Sequence, residues 1–364
     1  MIDMKDLSTP ALVVDASVVR RNLRRMADFG ASHKINIRPH TKTHKSKFIA
    51  KLQIESGCRG LTVAKVGEAQ VMAQVSDDVL LAYPALDPTR ANAAAEVAKT
   101  VALRVAVDSE FAARALSDAA KSAGSTIGML VDLDVGLHRT GVQSPHSALE
   151  LARAIGNMPN LRLDGLFCYP GQVWNKPDQQ GESLKKVDAL LEETLELWRR
   201  DGLPAAIVSG GSTPSALQSN LVRQYTEIRP GTYVFNDMNT VRGGFCEIGD
   251  CAARIVATVI STAAPNQVVL DSGSKTLTSD RLIPQPDAGH GLIVEYPDAV
   301  IRRLSEEHAQ VEFAPGARRP GLGERVTVIP NHICPCVNLQ DELWWRQEDG
   351  SMRSIRVDAR GKLS

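Results

Sequence analysis

The segment INIRPHTKTHKSKFIAKLQIESG, residues 35–57, contains one complete strand–loop–helix unit. Its apolar start predicts a short strand, and the run from residue 45 predicts a helix that ends at Gly57, where a helix stop is expected. Between them, the stretch RPHTKTHK at 38–45 holds five basic residues in a chain whose formal net charge is zero. A strand, a polar loop and a helix in this order are typical of a parallel βα unit.

The same alternation continues along the chain. Segment 183–202 is the clearest helix, because Leu and Val recur at helical spacing before two arginines and Gly202. The candidate strands number eight and lie at 35–39, 61–64, 79–83, 103–108, 127–134, 163–169, 205–210 and 225–230. Eight parallel strands in roughly 200 to 250 residues match a TIM-type (β/α)₈ barrel. We therefore predict an α/β fold with such a barrel over residues 16–240.

The predicted secondary structure changes after about residue 240. Short β-rich runs such as ARIVATVIST, NQVVLDSGS and ERVTVIPNH are separated by Gly, Pro and Asn, and no convincing amphipathic helix lies among them. This pattern predicts a C-terminal all-β domain over residues 241–364. We expect residues 1–15, which include the apolar run ALVVD at 11–15, to join that domain.

Composition excludes several classes of function. The chain has 364 residues, of which 42 are basic and 42 acidic, so it lacks the positive surplus of a general nucleic-acid binder. No run of 18 apolar residues is present, which argues against a membrane span, and the N-terminus has no secretory signal pattern. Six sparse cysteines do not form a disulfide framework. We expect a reduced, cytoplasmic protein whose partner is a small molecule.

Polar motifs follow the predicted strands, at the barrel edge that carries active sites. One of them, SGGSTPS at 209–215, has the form of a phosphate cradle, because its glycines free backbone N–H groups and its hydroxyls add donors. We expect a short helix to begin at Thr213 or Pro214. Gly231 and Thr232 follow the eighth strand, the other usual place for a phosphate in such barrels. The alternative is an ordinary turn.

The basic stretch RPHTKTHK offers a lysine at the same edge. A lysine beside a phosphate site suggests a Schiff base with an aldehyde cofactor, provided that its amine is partly desolvated and lies near other cations. Arg38, His40, His44 and Lys45 are candidates for those neighbours. The alternative is a solvated basic loop that precedes a helix.

A third group lies in PNHICPCVNLQDELW, residues 330–344. His332 and Cys334 are two residues apart, so on a strand their side chains would point to the same face. An imidazole and a thiolate are suitable ligands for zinc or a similar divalent metal. Cys336 would continue that face and is a candidate third ligand. The alternative is a pair of small buried cysteines beside a hydrogen-bonded histidine.

Nine stretches in one order along almost the whole chain resemble the D-threonine aldolase and D-serine dehydratase group, relatives of alanine racemase. They are TPALVVD, RPHTKTHK, VAKVGEA, DVGLHRTGV, SGGSTPS, EIRPGTYVFND, LDSGSK, LSEEH and PNHICPCVNLQDEL. The resemblance implies an alanine racemase-like barrel with a β-domain, assembled as a homodimer. It also implies pyridoxal 5'-phosphate, a divalent metal (Zn²⁺ or Mn²⁺) and a D-amino acid substrate with a β-hydroxyl group.

The resemblance also assigns individual residues. The motif RPHTK places the Schiff-base lysine at Lys42 rather than Lys45, with His40 beside it, and Arg139 corresponds to the arginine that reaches the cofactor's phenolic oxygen. His332 and Cys334 match the metal pair. His308, in LSEEH, is a candidate catalytic residue from the β-domain, with an ordinary surface histidine as the alternative. The phosphate-binding positions are Gly211, Ser212, Thr213, Gly231, Thr232 and Tyr233.

The resemblance favours a lyase of the D-threonine aldolase type, which cleaves its substrate to glycine and an aldehyde. Two departures favour a D-serine or D-3-hydroxyaspartate dehydratase instead: described aldolases carry a histidine where this chain has Pro170, and Cys334 takes the place of their aspartate. The dehydratases in turn place a tyrosine near Trp174, and this chain lacks it.

Two further classes stay open. An amino-acid racemase of this fold commonly uses a tyrosine from the β-domain as its second base, and Tyr296 is the only tyrosine after residue 235. A pyridoxal phosphate carrier without turnover lacks the long β-domain and the metal pair, so residues 241–364 argue for an enzyme.

Overall fold

The computed structural model describes residues 6–364. The chain forms two compact units, each of which is described here by itself. The β unit contains the described residues up to Leu23 together with Thr43–Ser46 and Thr232–Arg360, and the barrel unit contains Arg24–Lys42, Lys47–Gly231 and Gly361–Ser364. Residues 1–5, which we predicted to join the β-domain, lie outside the described residues.

The strands are β1 (Ala11–Asp15), β2 (Asn36–Ile37), β3 (Leu61–Val63), β4 (Asp78–Leu81), β5 (Ala102–Val107), β6 (Ile127–Asp132), β7 (Leu161–Phe167), β8 (Ile207–Gly210), β9 (Glu227–Ile228), β10 (Ala253–Ser261), β11 (Gln267–Leu270), β12 (Leu292–Ile293), β13 (Val300–Leu304), β14 (Ala309–Glu312), β15 (Arg325–Ile329), β16 (Glu342–Arg346) and β17 (Met352–Arg356). The α-helices are α1 (Ala16–His33), α2 (Lys47–Glu55), α3 (Val66–Met72), α4 (Pro88–Val97), α5 (Glu110–Ala123), α6 (Pro145–Gly156), α7 (Gly181–Arg200), α8 (Met238–Arg242), α9 (Ser274–Leu277) and α10 (Ile333–Asn338).

Eight parallel strands form the barrel, in the order β2-β9-β8-β7-β6-β5-β4-β3. The two ends of this order are joined where His40 forms a parallel bridge with Thr62, whose N–H also donates to the Pro39 carbonyl at 2.9 Å. The predicted (β/α)₈ barrel is confirmed, although the first and last strands are only two residues long. Because all eight strands are parallel, the loops that follow them lie at one edge of the barrel, which we call the rim.

The helices around the barrel begin and end at residues suited to those positions. Asp87 and Ser144 accept hydrogen bonds from the first turns of α4 and α6, each of which has proline at its first position. Gly124 ends α5 in the left-handed conformation, with φ 68°. Sequence signals of this local kind are why the βα alternation could be predicted.

The barrel interior contains a network of ion pairs that the sequence analysis missed. Arg38 is buried, and its guanidinium bonds to the carboxylates of Glu227 at 2.8 Å and Asp78 at 2.6 Å. Arg104 extends the network from Asp78 to Asp164. The charge of Arg38 is thus balanced by two carboxylates, so the expectation that it acts as a cationic neighbour of the rim lysine is wrong.

The β unit contains a mostly antiparallel sheet in the order β13-β14-β11-β10-β1-β16-β17, with β15 pairing with β10 and β12. β1 pairs with β10 and with β16, so the predicted assignment of ALVVD to this sheet is confirmed. The sequence analysis missed β13 and β16. Among the helices of residues 6–364, none has both the length and the apolar character needed to cross a bilayer.

Candidate active site

Lys42 lies at the rim, five residues after the end of β2 and within the short 3₁₀ helix Thr41–Thr43. Its side chain is exposed, and no hydrogen bond or ion pair joins its amine to any residue from 6 to 364. The imidazole Nδ1 of His40, which is half-buried, accepts the backbone N–H of Lys42 at 3.4 Å. The amine of Lys42 is therefore accessible for reaction with an aldehyde.

The predicted phosphate cradle follows β8. A side chain at Gly210 would collide with the ring of Tyr225, and Gly211 has φ 72°, so both positions require glycine. Ser212 is buried, with its hydroxyl 3.1 Å from that of Ser215. The loop therefore brings backbone N–H groups and hydroxyls together.

Gly231, after β9, completes this part of the rim. Its N–H donates to the Thr213 hydroxyl at 3.1 Å, so the loops after β8 and β9 are in contact, as predicted for a phosphate site. The predicted helix start at Thr213 or Pro214 is wrong: residues 213–215 form a turn, and a 3₁₀ helix begins at Ala216. The turn keeps the Thr213 hydroxyl directed toward Gly231.

Arg139 lies in the loop after β6, and its guanidinium stacks on the ring of Tyr169 with 4.6 Å to the ring centre. Asp134 holds this loop, because one carboxylate oxygen accepts the N–H groups of Gly136, Leu137 and His138 at 3.0 to 3.1 Å. Its other oxygen lies 2.7 Å from the His138 imidazole. These bonds hold His138 at φ 57°, a conformation uncommon outside glycine, directly before Arg139.

Asp132 is a buried carboxylate at the end of β6, beside the same loop. Burial raises the pKa of Asp132 to about 6, although the Thr140 hydroxyl donates to it at 2.8 Å and the positive charges of Arg229 and Arg139 oppose the shift. A small cavity opens here, lined by residues that include Asp132, Arg139 and Tyr169. The rim therefore has a group that changes charge near neutral pH.

A second rim cluster follows β3 and β4 and was missed by the sequence analysis. The Lys65 ammonium lies 3.6 Å from the centre of the Tyr83 ring, and Arg90 donates to the Tyr83 hydroxyl at 3.3 Å. The hydrogen bonds from Arg90 and Lys65 lower the pKa of Tyr83. Asp87 pairs with Arg90, so the cluster carries one excess positive charge. The sequence did contain a signal for this cluster: Lys65 in VAKVGEA follows the end of a predicted barrel strand, and Tyr83 in VLLAY is the last residue of the next one.

In the β unit, His332 immediately precedes α10, and Cys334 lies in its first turn. The Nδ1 atom of His332 lies 2.7 Å from the Asp280 carboxylate. Burial lowers the pKa of His332, but the hydrogen bond and charge of Cys334, together with Asp237 and Asp280, outweigh burial and raise that pKa to about 9. The predicted metal pair is therefore in mutual contact.

The strand predicted for this segment is wrong, since residues 333–338 form α10. Cys336 consequently does not share a face with Cys334: its sulfur is buried and donates to the carbonyls of Leu277 and His332 at 3.4 and 3.2 Å. Over the described part of the chain, no group of three or more His, Cys, Asp or Glu side chains is arranged to hold a metal. The structure thus supports a pair of ligands and gives no support to Cys336 as a third.

The remaining predicted residues of the β unit differ in their surroundings. The Thr232 hydroxyl lies 3.8 Å from the Cys334 sulfur, and Tyr233 is buried within the 3₁₀ helix Thr232–Val234. His308 lies exposed in the turn between β13 and β14. Within the described residues its imidazole contacts neither His332 nor Cys334, so the structure does not bring it to the metal pair.

The residues present fit both pyridoxal phosphate and a divalent metal, the two groups that the resemblance implies. An accessible amine at Lys42 and a cradle of uncharged donors at residues 211–213 and Gly231 suit an aldehyde that bears a phosphate. An imidazole oriented by a carboxylate, next to a thiol, is the donor set of a divalent metal with open coordination positions. The residues that fit a cofactor are therefore different from the residues that fit a metal.

Comparison with known proteins identifies the family of this chain. Residues 14–238 match the family model "Alanine racemase, N-terminal domain", and residues 252–345 match "Putative serine dehydratase domain". The chain is 30% identical to a D-threonine aldolase from an Arthrobacter species over 98% of its own length and 93% of that protein. It is 31% identical to the D-threo-3-hydroxyaspartate dehydratase of a Delftia species, over 90% of this chain and 91% of the relative.

A solved structure supports the same family. The structure of a D-threonine aldolase from Filomicrobium marinum superposes with a TM-score of 0.93 at 30% identity, covering 100% of this chain and 98% of that one. Both family models, the sequence relatives and this structure agree over nearly the full length. The chain belongs to the alanine racemase-like family of enzymes that contains the D-threonine aldolases and the D-serine dehydratase-like proteins.

Proposed function

We propose that this protein is a pyridoxal phosphate- and divalent metal-dependent lyase of the D-threonine aldolase type, which cleaves D-β-hydroxy-α-amino acids to glycine and an aldehyde. The observation that carries the proposal is the accessible amine of Lys42 at the same rim as the phosphate cradle. We assign cofactor binding to residues 16–240 and metal binding to residues 241–364 with 1–15. By resemblance, we also propose a homodimer, which light scattering after gel filtration would test.

The residues of the barrel unit have separate roles in this proposal. Pyridoxal phosphate, when bound, supplies an electron sink for the bond that breaks at the substrate's α-carbon. The Lys42 amine would hold the cofactor aldehyde. Gly211, Ser212, Thr213 and Gly231 would bind the phosphate through N–H and hydroxyl groups, and Arg139 would donate to the ring oxygen.

The residues of the β unit hold the metal. His332 and Cys334 would bind Zn²⁺ or Mn²⁺, which acts as a Lewis acid on the substrate β-hydroxyl. Asp280 holds the His332 imidazole through Nδ1, so Nε2 is the donor atom. By resemblance alone, we retain Thr232 and Tyr233 as candidate phosphate-binding residues and His308 as the candidate catalytic residue.

A dehydratase acting on D-serine or D-3-hydroxyaspartate is the second candidate function. In that reaction Lys42 takes the α-proton, and the β-hydroxyl leaves as water. The Lys65–Tyr83–Arg90 cluster favours a substrate with an acidic side chain, because its excess positive charge lies at the rim. By strand register, Thr62 pairs with Leu80 and with His40, which places this cluster on the two strands that follow that of Lys42.

A racemase receives no support. Tyr296 is buried, and its hydroxyl donates to the Glu324 carboxylate at 2.7 Å. The burial of Tyr296, followed by this hydrogen bond, raises its pKa, which opposes its use as a base.

Product analysis separates the two candidates. The protein is incubated with pyridoxal phosphate, Zn²⁺ or Mn²⁺, and in turn D-threonine, D-serine and D-threo-3-hydroxyaspartate. Glycine with an aldehyde establishes the aldolase, and a keto acid with ammonia establishes the dehydratase. Excess EDTA should abolish either activity and added metal should restore it; full activity in EDTA would refute the metal role.

The same assay tests the rim cluster. Lys65→Met and Arg90→Met should lower kcat/KM for 3-hydroxyaspartate by at least about 10-fold and leave D-threonine within about 3-fold, because only the former presents a second carboxylate. Lys99→Met, a change in an exposed lysine beyond α4, is the matched control. Equal losses on both substrates would refute the role of the cluster in side-chain recognition.

A further inference from the structure

Asn331, the residue immediately before His332, spans a loop of the β unit with its side chain. Its amide nitrogen donates to the Asp280 carbonyl at 3.0 Å and to the Gly289 carbonyl at 2.9 Å. Both partners are acceptors, so only the NH₂ group of the amide can face them. The side chain is buried, and it joins the two ends of the segment 280–289 and closes that segment into a loop.

The segment 280–289 has little regular structure of its own. It lies between α9 and β12, and the 3₁₀ helix Pro286–Ala288 is the regular element within it. The Asp280 N–H donates to the nearby Thr278 hydroxyl at 3.3 Å, which is a local bond. Asn331, in contrast, joins the Asp280 backbone to a part of the β unit that is distant in sequence.

Asp280 also contacts the metal pair, through its carboxylate, which lies 2.7 Å from Nδ1 of His332. Two adjacent residues, Asn331 and His332, thus hold the carbonyl and the carboxylate of Asp280. A carboxylate on Nδ1 fixes the orientation of the imidazole and leaves Nε2 for a metal. The Asp280 side chain is 47% exposed on an irregular segment, so its position depends on how firmly its backbone is held.

We propose that Asn331 is a positioning residue for the metal pair. It holds the backbone of Asp280, so that the Asp280 carboxylate stays on Nδ1 of His332 and Nε2 remains oriented as a donor. Asn331 acts through Asp280 and is not itself a ligand. This inference rests on the metal-binding role that the proposed function assigns to His332 and Cys334.

The test is a double-mutant cycle on Zn²⁺ affinity, measured on the full-length protein by competition with a fluorescent chelator. Asn331→Ala should lower the affinity about 10-fold, the usual effect of removing a residue that supports a metal ligand. In the Asp280→Asn background the same change should cost less than about 3-fold, because the contact through which Asn331 acts is already lost. If the two single losses multiply in the double variant, Asn331 acts independently of Asp280 and the proposal is overturned.

Asn239→Ala is the matched control. Asn239 is also a buried asparagine of the β unit, and its amide oxygen accepts the Ile283 N–H at 2.8 Å, so it holds the same segment but not at Asp280. We expect its Zn²⁺ affinity to stay within about 3-fold of the wild-type value. An equal loss in the two asparagine variants would contradict a specific role of Asn331, because it would show that any loosening of the segment has the same effect.

Two more variants separate this inference from the proposed function. His332→Ala should lose tight Zn²⁺ binding; wild-type affinity in that variant would refute the metal pair, and the inference with it. Loss of the ion in His332→Ala with wild-type affinity in Asn331→Ala would overturn the inference alone. Circular dichroism checks each fold. Asn331→Ser, whose hydroxyl donates to only one of the two carbonyls, replaces Asn331→Ala if the latter does not fold, with a loss of affinity again expected.

Discussion

The Lys45 ammonium donates a hydrogen bond to the amide oxygen of Asn338 at 2.8 Å. Lys45 is buried, and its carbonyl accepts the Ala359 N–H, so its side chain and backbone are both held within the β unit. Lys42, three residues earlier, is exposed in the barrel unit. Two lysines of one basic motif therefore have different roles: one is structural, and the other is available for chemistry.

This contrast predicts different effects of removing each lysine. Lys42→Ala should abolish the visible absorbance of the lysine-bound cofactor, because no other amine would be in its place. Lys45→Ala should keep that absorbance but lower the free energy of unfolding by about 1.5 to 3 kcal/mol, because Asn338 loses a charged hydrogen-bond partner. Absorbance spectra and urea unfolding measure both effects, and the reverse pattern would overturn the assignment of Lys42.

Cys334 and Cys336 should also differ. Cys334→Ser should weaken Zn²⁺ binding by at least about 10-fold, since a thiolate ligand is lost. Cys336→Ser should change Zn²⁺ affinity by less than about 3-fold, because its buried sulfur already donates to two carbonyls. Competition with a fluorescent chelator measures both affinities. Equal losses would show that both thiolates bind the metal.

Asp280 should act on the metal through His332. Asp280→Asn should lower metal affinity by about 10- to 100-fold, because the carboxylate that orients the imidazole is lost while the ligands remain. The matched control is Asp287→Asn, a change in an exposed carboxylate of the same unit. An unchanged affinity in the Asp280 variant would show that His332 is held by other contacts.

The raised pKa of Asp132 predicts a pH dependence of stability. The folded protein binds this proton up to about pH 6, whereas the unfolded chain releases it near the usual value of 3.8. Between these pH values the folded state holds more protons, so the Asp132 contribution to the free energy of unfolding falls as pH rises, by up to about 1.4 kcal/mol per pH unit. Asp132→Asn should remove this fall. Urea unfolding of both proteins at pH 4 to 7 tests it, and parallel curves would contradict the shift.

The interior ion pairs should be costly to break. Arg38→Met leaves the Glu227 and Asp78 carboxylates without their buried partner, so we expect a loss of about 3 to 5 kcal/mol in the free energy of unfolding. Arg162→Met is the matched control, because Arg162 pairs with Asp164 but has a half-exposed side chain, and it should cost less than about 1 kcal/mol. Similar losses in the two variants would show that burial does not set the cost.

Local patterns in the sequence were sufficient to predict the barrel. Eight apolar runs alternate with helices that have their own start and stop signals, and a parallel sheet of eight such units closes on itself. Gly211, with φ 72°, and the lysine two residues after His40 could likewise be located, because each depends on neighbours in the chain. The family resemblance then assigned roles to these positions.

Contacts between residues far apart in the sequence determined the features that local patterns did not predict. The residues after His332 form a helix rather than a strand, and the first N–H of that helix, from Ile333, is capped by the Asp237 carboxylate 96 residues earlier in the chain. Arg38 belongs to a motif of basic residues, yet its partner Glu227 lies 189 residues away. Hydrogen bonds and ion pairs of this kind form only when folding brings the partners together. The sequence by itself therefore determined the barrel and the position of the candidate lysine, whereas tertiary structure decided the geometry of the candidate metal pair and which basic residues are neutralised.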